Sequence, residues 1–203
     1  MSDHVLPQPG VNARAVDLDA RLRAFDFDGS LKAAGRDAWA VLEPEIEAVA
    51  GAYWQQWLRC FDDRRTWATQ ETAKMVELGV QFLRHRFLDT AGLAWIESIE
   101  RSVAAAYAAG ISPLALLSMI NASDRAALDV LMRRVERDSE RLPLLIDTLM
   151  RLSALESEIT VAIYTAYREH AAGVFRDRLT VDFRDGIATL VETASDEGQE
   201  LRR

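Results

Sequence analysis

The chain has 203 residues, which suits one domain with an extension and is long enough to bury a sizeable core. Its 32 acidic and 24 basic residues give a net charge of −8, which argues against nucleic acid or an anionic membrane surface as partner. No apolar run reaches the ~20 residues of a membrane span, and the first residues lack a secretory signal pattern. The single cysteine, Cys60, excludes an internal disulfide. We therefore expect a cytoplasmic protein.

The residue composition predicts an all-α fold. Five prolines and ten glycines leave long uninterrupted stretches that are rich in alanine and leucine. Residues 1–14 are polar and contain Pro7, Pro9 and Gly10, which is typical of a flexible N-terminal arm. A short helix over 17–25 follows the arm.

Capping residues and apolar spacing predict the other helices. Ser30 is a capping residue, Pro44 fits a first helical turn, Asp89 or Thr90 caps a further helix, and Ser112 precedes a first-turn proline. The spacing of apolar residues then extends each helix. The predicted spans are 31–42, 44–60, 69–87, 91–109, 113–139, and 143 to beyond 194, with Asp62 and Asp63 as a break.

The C-terminal end carries a short coiled-coil pattern. Phe183, Ile187, Leu190 and Ala194 lie at spacings of four, three and four residues. A seam of under two heptads is not stable alone, so it requires a second copy or a continuation past Arg203. The segment 183–203 is therefore predicted to begin a coiled coil; the alternative is a helix that packs back on its own domain.

An apolar stripe on the last helix predicts self-association. Its members recur at helical spacing, and a lone helix would leave them partly exposed. The stripe consists of Leu145, Leu149, Leu152, Ile159 and Ile163. We expect a homodimer in which the helices over 113–139 and 143–183 form the interface.

Residues that carry chemistry are sparse. The three histidines are His4, His85 and His170, and no metal, nucleotide or nucleophile motif contains them. His85 falls beside the stripe of Leu83 and Phe87 and is expected to be exposed. The carboxylates are assigned to solvated helix faces, with no two of them paired on an apolar face. The sequence therefore predicts no enzyme, no metal site and no catalytic residue.

Three segments of the chain resemble one family. Residues 42–46, followed by Ala52 and Tyr53, are similar to that family's second helix, and 155–167 to its last helix. Residues 87–113, with Trp95 and a final Gly-Ile-Ser-Pro, are similar to its central motif. Together the segments resemble the sensor globins, the protoglobin-like domains of globin-coupled sensors such as aerotaxis transducers, over about residues 17–182.

The resemblance implies a fold and an assembly. It implies a globin-like sensor domain of seven or eight helices over 15–182, followed by the signalling helix over 183–203. The last two long helices of two copies would form an antiparallel-looking four-helix bundle. The expected function is a sensory input domain of a chemotaxis-type protein. Its output module would lie in the same chain or in a complex.

The resemblance also locates a pocket that departs from the family. The family's proximal histidine, which ligates haem iron, corresponds to Ala106, and its glycine to Val103. Alanine cannot bind iron. Tyr107 is adjacent but turned by ~100°. Tyr53 corresponds to the distal tyrosine, and His85 is the first candidate for a substitute ligand.

The expected cofactor is therefore none, although haem remains an alternative. The pocket would be collapsed, filled by side chains, or occupied by another molecule, because an empty cavity of haem size is costly. Tryptophans supply bulk that could fill it: Trp39, Trp54, Trp57, Trp67 and Trp95. Two alternatives stay open, a haem-based gas sensor with an unusual ligand and a ligand-free structural dimerisation module.

Overall fold

The computed structural model describes residues 6–60, 69–90 and 92–200, with side chains described for 6–59, 71–90 and 92–191. Helices make up nearly all of these residues, and no strand occurs among them, which confirms the all-α prediction. A 3-10 turn, Glu43–Glu45, precedes α4. The helices are α1 (Val11–Ala15), α2 (Leu18–Phe25), α3 (Leu31–Leu42), α4 (Ile46–Cys60), α5 (Thr69–Leu88), α6 (Leu93–Ala108), α7 (Pro113–Arg134) and α8 (Arg141–Glu200). The predicted break at 62–63 lies outside the described residues.

Two predicted caps differ from the structure. Ser30 occupies the N-cap position of α3, but its side chain makes no capping hydrogen bond. The first amide of α3, on Leu31, instead donates to Oδ1 of Asp26 at 2.9 Å. The N-cap of α6 is Gly92 rather than Asp89 or Thr90, because the backbone becomes helical only after Gly92.

The ends of the last two helices also differ from the prediction. The helix α7 ends at Arg134, five residues early, because Val135 is extended with φ −107° and ψ 134°. The residues that follow Val135 are charged or polar and offer no apolar face to bury. In contrast, α8 begins two residues before Pro143 and continues through Gly173 and Gly186 as one helix of 60 residues.

The predicted N-terminal arm is shorter than 14 residues. Residues 11–14 belong to α1, and Ala13 is buried against the body of the protein. Glu100 on α6 holds this helix, because its carboxylate accepts hydrogen bonds from the backbone N–H of Ala13 at 3.0 Å and of Asn12 at 3.3 Å. A buried carboxylate thus satisfies backbone donors at the start of α1 that the helix itself leaves unpaired.

The core lies among the six longer helices. The helix α4 packs against α5 and α7, and α8 packs against α3, α6 and α7. Aliphatic and aromatic side chains from all six helices are almost fully buried and form one continuous cluster. Its fully enclosed members include Leu31, Leu42, Phe87, Trp95, Ile99, Leu131, Leu152 and Leu155.

The contact between α3 and α5 depends on Gly35. A Cβ atom at this position would lie 2.8 Å from the carbonyl oxygen of Phe87 and 3.5 Å from Oγ1 of Thr90. The first distance is shorter than a real Cβ contact, and backbone atoms cannot easily shift. The absence of a side chain at Gly35 therefore sets how closely α3 approaches the end of α5.

We expect Gly35→Ala to destabilise the protein by about 1–3 kcal/mol, because it overpacks a closed contact. Gly51→Ala is the matched control, since Gly51 is also inside a helix but a Cβ atom there would meet no neighbour within 4 Å. The control should stabilise by about 0.5–1 kcal/mol through helix propensity. Denaturant unfolding measures both, and equal effects of the two variants would contradict this account of the contact.

The C-terminal part of α8 projects from the body. A helix of 60 residues is about 90 Å long, and its last buried side chain is Tyr167. All side chains described from residue 175 onward are exposed. We call residues 175–200 of α8 the stalk. Among the described residues, no helix has the combination of length and apolar character that crossing a membrane requires.

The predicted dimer stripe proves to be part of the core. Its five residues, from Leu145 to Ile163, are at most 3% exposed within a single chain. The helix α8 packs against α3, α6 and α7 of its own chain, and this packing leaves the five residues unavailable to a partner. The prediction that this stripe forms the interface is wrong, because periodicity identifies an apolar face but not the surface that covers it.

Candidate functional site

One cavity of about 380 Å³ lies between α4, α5, α6, α7 and α8. Most of its wall is apolar, with aromatic side chains from α4 and α5 and aliphatic ones from α6 and α7. The exposed side chains of Leu78, Gln81 and Arg101 mark the mouth. The apolar wall includes Ala50, Trp54, Met75, Phe82, Leu83, Ile99, Val103, Leu116 and Ile120.

A buried ionic cluster lies at the inner wall of the cavity. Arg86 on α5 is 1% exposed and lies between Asp124 on α7 and Glu156 on α8. Its Nη1 donates a hydrogen bond to Oδ1 of Asp124 at 2.7 Å. Its Nε lies 2.9 Å from Oε2 of Glu156, although the N–H does not point at that oxygen closely enough for a hydrogen bond. Arg86, Asp124 and Glu156 are hereafter the ionic cluster.

The ionic cluster keeps unused hydrogen-bonding groups. Within the part of the chain that the structure describes, Nη2 of Arg86 and Oδ2 of Asp124 have no hydrogen-bond partner. Buried polar atoms without partners are uncommon, and each of them requires an explanation such as a bound ligand. Arg86 and Glu156 both line the cavity, so a molecule inside it can reach them.

Burial changes the protonation of the groups around the cavity. It raises the pKa of the Glu156 carboxyl to about 7, with Asp124 adding to the rise and Arg86 opposing it. For Arg86, burial acts to lower the pKa, but the two carboxylates outweigh burial and the pKa is raised. Burial and the neighbouring Glu156 raise the pKa of Tyr53 well above its usual value. Near neutral pH, Glu156 is therefore close to half protonated, while Arg86 stays charged.

Two of the four predicted pocket residues line the cavity. Tyr53 on α4 does so, as the resemblance implies. His85 on α5 does so as well and is half-buried, so the expectation that it is exposed is wrong. The reason is that the cavity separates α5 from α6 beside Phe82 and His85, which makes this side of α5 an inner wall.

The other two predicted residues lie outside the cavity. Ala106 is buried in the core and does not line the cavity, although its neighbour Ala105 on α6 does. Tyr107 points towards α8, where its ring packs at 5.5 Å from Tyr164 and 5.6 Å from Tyr167. The structure thus brings Tyr53 and His85 together at one site and separates both from Ala106 and Tyr107.

The ionic cluster was not expected from the sequence, although the spacing of Arg86 and Glu156 from apolar residues on their helices indicates that both are buried. Glu156 lies four residues after Leu152 and three before Ile159, so it occupies the core face of α8. Arg86 follows Leu83 by three residues and lies on the same face of α5. The expectation that the carboxylates lie on solvated helix faces is wrong for Asp124 and Glu156, which are both buried.

Comparisons with known proteins give no assignment. No family model matches the chain, and neither the curated proteins nor the solved structures contain a match to it. Among the described residues, no group of three or more histidine, cysteine or acidic side chains is arranged to hold a metal ion.

Proposed function

We propose that the chain is a globin-like sensory input domain of a cytoplasmic, chemotaxis-type signalling protein, with no enzymatic activity of its own. The observation that carries the proposal is the course of α8. This one helix supplies Glu156 and Thr160 to the cavity wall and then continues as the stalk. A molecule in the cavity therefore contacts the same rigid element that leaves the domain.

The position of the cavity supports a globin-like arrangement. It is enclosed by five consecutive helices, α4 to α8, and α3 packs against α5, α7 and α8. Tyr53 lines the cavity from the helix that the resemblance equates with the distal side. Both features fit the proposed sensor globin.

The cavity favours a ligand smaller than haem. A cavity of ~150 Å³ holds a benzene, so 380 Å³ corresponds to about 15 non-hydrogen atoms, roughly a third of a haem. Ala106 supplies no iron ligand and is not at the cavity wall. Trp54 lines the cavity, and its bulk favours a pocket that side chains have partly filled. The haem-based gas sensor, with His85 as its ligand, remains the alternative.

The stalk favours a homodimer. Phe175, Leu179, Phe183, Ile187 and Leu190 lie within a 120° sector of the helix, and each is 46–70% exposed. We call these five residues the stalk stripe. It begins eight residues before the predicted seam and steps by 3.75 residues on average, a period longer than 3.6 that is typical of a right-handed supercoil. A second copy presents an identical stripe, so the two bury each other, and this pairing replaces the interface first expected on the body of α8.

Absorption spectroscopy separates this proposal from the haem sensor. We expect the purified chain to carry no stoichiometric haem, and added haem to give no tight Soret-absorbing complex. Ala106→His should not create one either, because this position lies outside the cavity wall. The matched variant is His85→Ala: if the wild-type chain binds haem tightly and this variant does not, the haem-based alternative is correct.

A further inference from the structure

We propose that the cavity binds an amphiphilic monocarboxylic acid of roughly eight to twelve carbons, whose carboxylate contacts Arg86 and Glu156 and whose apolar chain lies along α4, α5 and α6. This inference rests on the proposed function, because it names the ligand class of the sensory cavity. It is carried by two independent observations, a buried cation with an unused donor and an apolar cavity of defined size.

The buried cation accounts for the head group. Arg86 is enclosed, and its Nη2 group has no partner among the described residues. A carboxylate is a strong acceptor for the charged N–H groups of a guanidinium. Asp124 and Glu156 lie against Nη1 and Nε, which leaves the two N–H groups of Nη2 for a ligand, and Arg86 lines the cavity.

The charges around the cavity permit an anion when Glu156 is protonated. Asp124 then balances Arg86, and the protonated carboxyl of Glu156 becomes a hydrogen-bond donor to the ligand. The remaining titratable groups that face the site are Tyr53 from α4, His85 from α5 and Arg101 from α6. None of these adds negative charge at neutral pH, and Arg101 adds a positive charge at the mouth.

The apolar wall accounts for the chain of the ligand. The volume of 380 Å³ matches about 15 non-hydrogen atoms, and decanoate has about twelve. Phe82, Leu83 and Ile99 line the cavity with side chains that have no hydrogen-bonding groups. A small polar molecule would leave these surfaces in contact with water, whereas an alkyl chain covers them.

The ligand should bind more tightly at lower pH. Since burial raises the pKa of Glu156 to about 7, the protonated form falls about tenfold between pH 6 and pH 8. An ionised Glu156 repels the ligand carboxylate. We therefore expect the affinity for decanoate to fall about tenfold over this range. Glu156→Gln keeps a neutral donor at every pH, so it should remove the dependence and bind more tightly than wild type at pH 8.

Isothermal titration calorimetry with sodium decanoate tests this proposal. At pH 6 we expect one site per chain with micromolar affinity, and at least tenfold weaker binding of decan-1-ol, which has the same chain without the carboxylate. Equal affinities for acid and alcohol would overturn the assignment of Arg86 and Glu156 to the head group. Because the Glu156→Gln variant is expected to gain affinity at pH 8, a loss through unfolding cannot imitate the expected result.

A second outcome separates this inference from the proposed function. If decanoate does not bind, but filling the cavity with Val103→Phe still changes the arrangement of the stalk, the ligand class is wrong and the sensory role stands. If decanoate binds, but neither decanoate nor Val103→Phe changes the arrangement of the stalk, the result supports the ligand class and contradicts the sensory role.

Discussion

Replacing Arg86 with methionine is expected to destabilise the protein by about 3–5 kcal/mol at pH 8. The substitution leaves Asp124 and Glu156 buried and facing each other without a compensating charge, while methionine retains most of the buried volume. The cost should be smaller at pH 6, since Glu156 is then mostly protonated and one negative charge is removed. Denaturant unfolding at the two pH values measures both effects.

Arg84 provides a matched control for this prediction. It is exposed on the same helix, two residues away, and makes no ion pair among the described residues. Arg84→Met should change the stability by no more than about 0.5 kcal/mol. In the Arg86→Met background, adding Asp124→Asn and Glu156→Gln should recover part of the loss. A cost of Arg86→Met no larger than that of Arg84→Met would show that the ionic cluster is not a structural unit.

Introducing charge into the stalk stripe is expected to dissociate the dimer. We expect the wild-type chain to be dimeric at micromolar concentration, and Phe183→Glu together with Leu190→Glu to raise the dissociation constant by more than about a hundredfold. The double variant removes two apolar contacts from each copy and places like charges opposite each other. Sedimentation equilibrium measures the change directly.

Val181→Glu is the control for the stalk prediction. Val181 is 45% exposed and lies on the face of α8 opposite the stalk stripe. The same type of substitution at this position should therefore leave the dimer intact. A monomeric wild-type chain would rule out the stalk dimer, and equal effects of both substitutions would rule out the stalk stripe as its interface.

The sequence determines much of the helix layout, because a helix that borders a core repeats apolar residues every three or four positions. The span of α3 agrees with the prediction, and the ends of α5 and α6 agree within two residues. The end of α7 was missed because the residues after Arg134 contain no proline or glycine to mark a stop. Their lack of an apolar face is a weaker signal than a breaker residue.

The candidate site was harder to predict, since its position depends on how the helices pack. Tyr53, which the resemblance assigns to the pocket, lines the cavity. Ala106 does not, because the phase of α6 relative to its neighbours is a tertiary property that spacing along one helix does not determine. Arg86 and Glu156 lie within apolar stripes and were detectable. Their pairing was not, because it joins helices that are 70 residues apart in the sequence.

We propose that the cavity and the stalk are coupled through α8. Double electron–electron resonance measures the distance between spin labels on the two copies of the dimer, so it reports whether the stalk responds to the cavity. A single label at Arg178→Cys, outside the sector of the stalk stripe, is combined with Cys60→Ser so that no other cysteine remains. The cavity is then filled with Val103→Phe, and thermal unfolding confirms that the variant is folded. If the cavity and the stalk are coupled, we expect two populated label separations whose proportions change when the cavity is filled or when decanoate is added. A single distribution that is identical in all three states would contradict it.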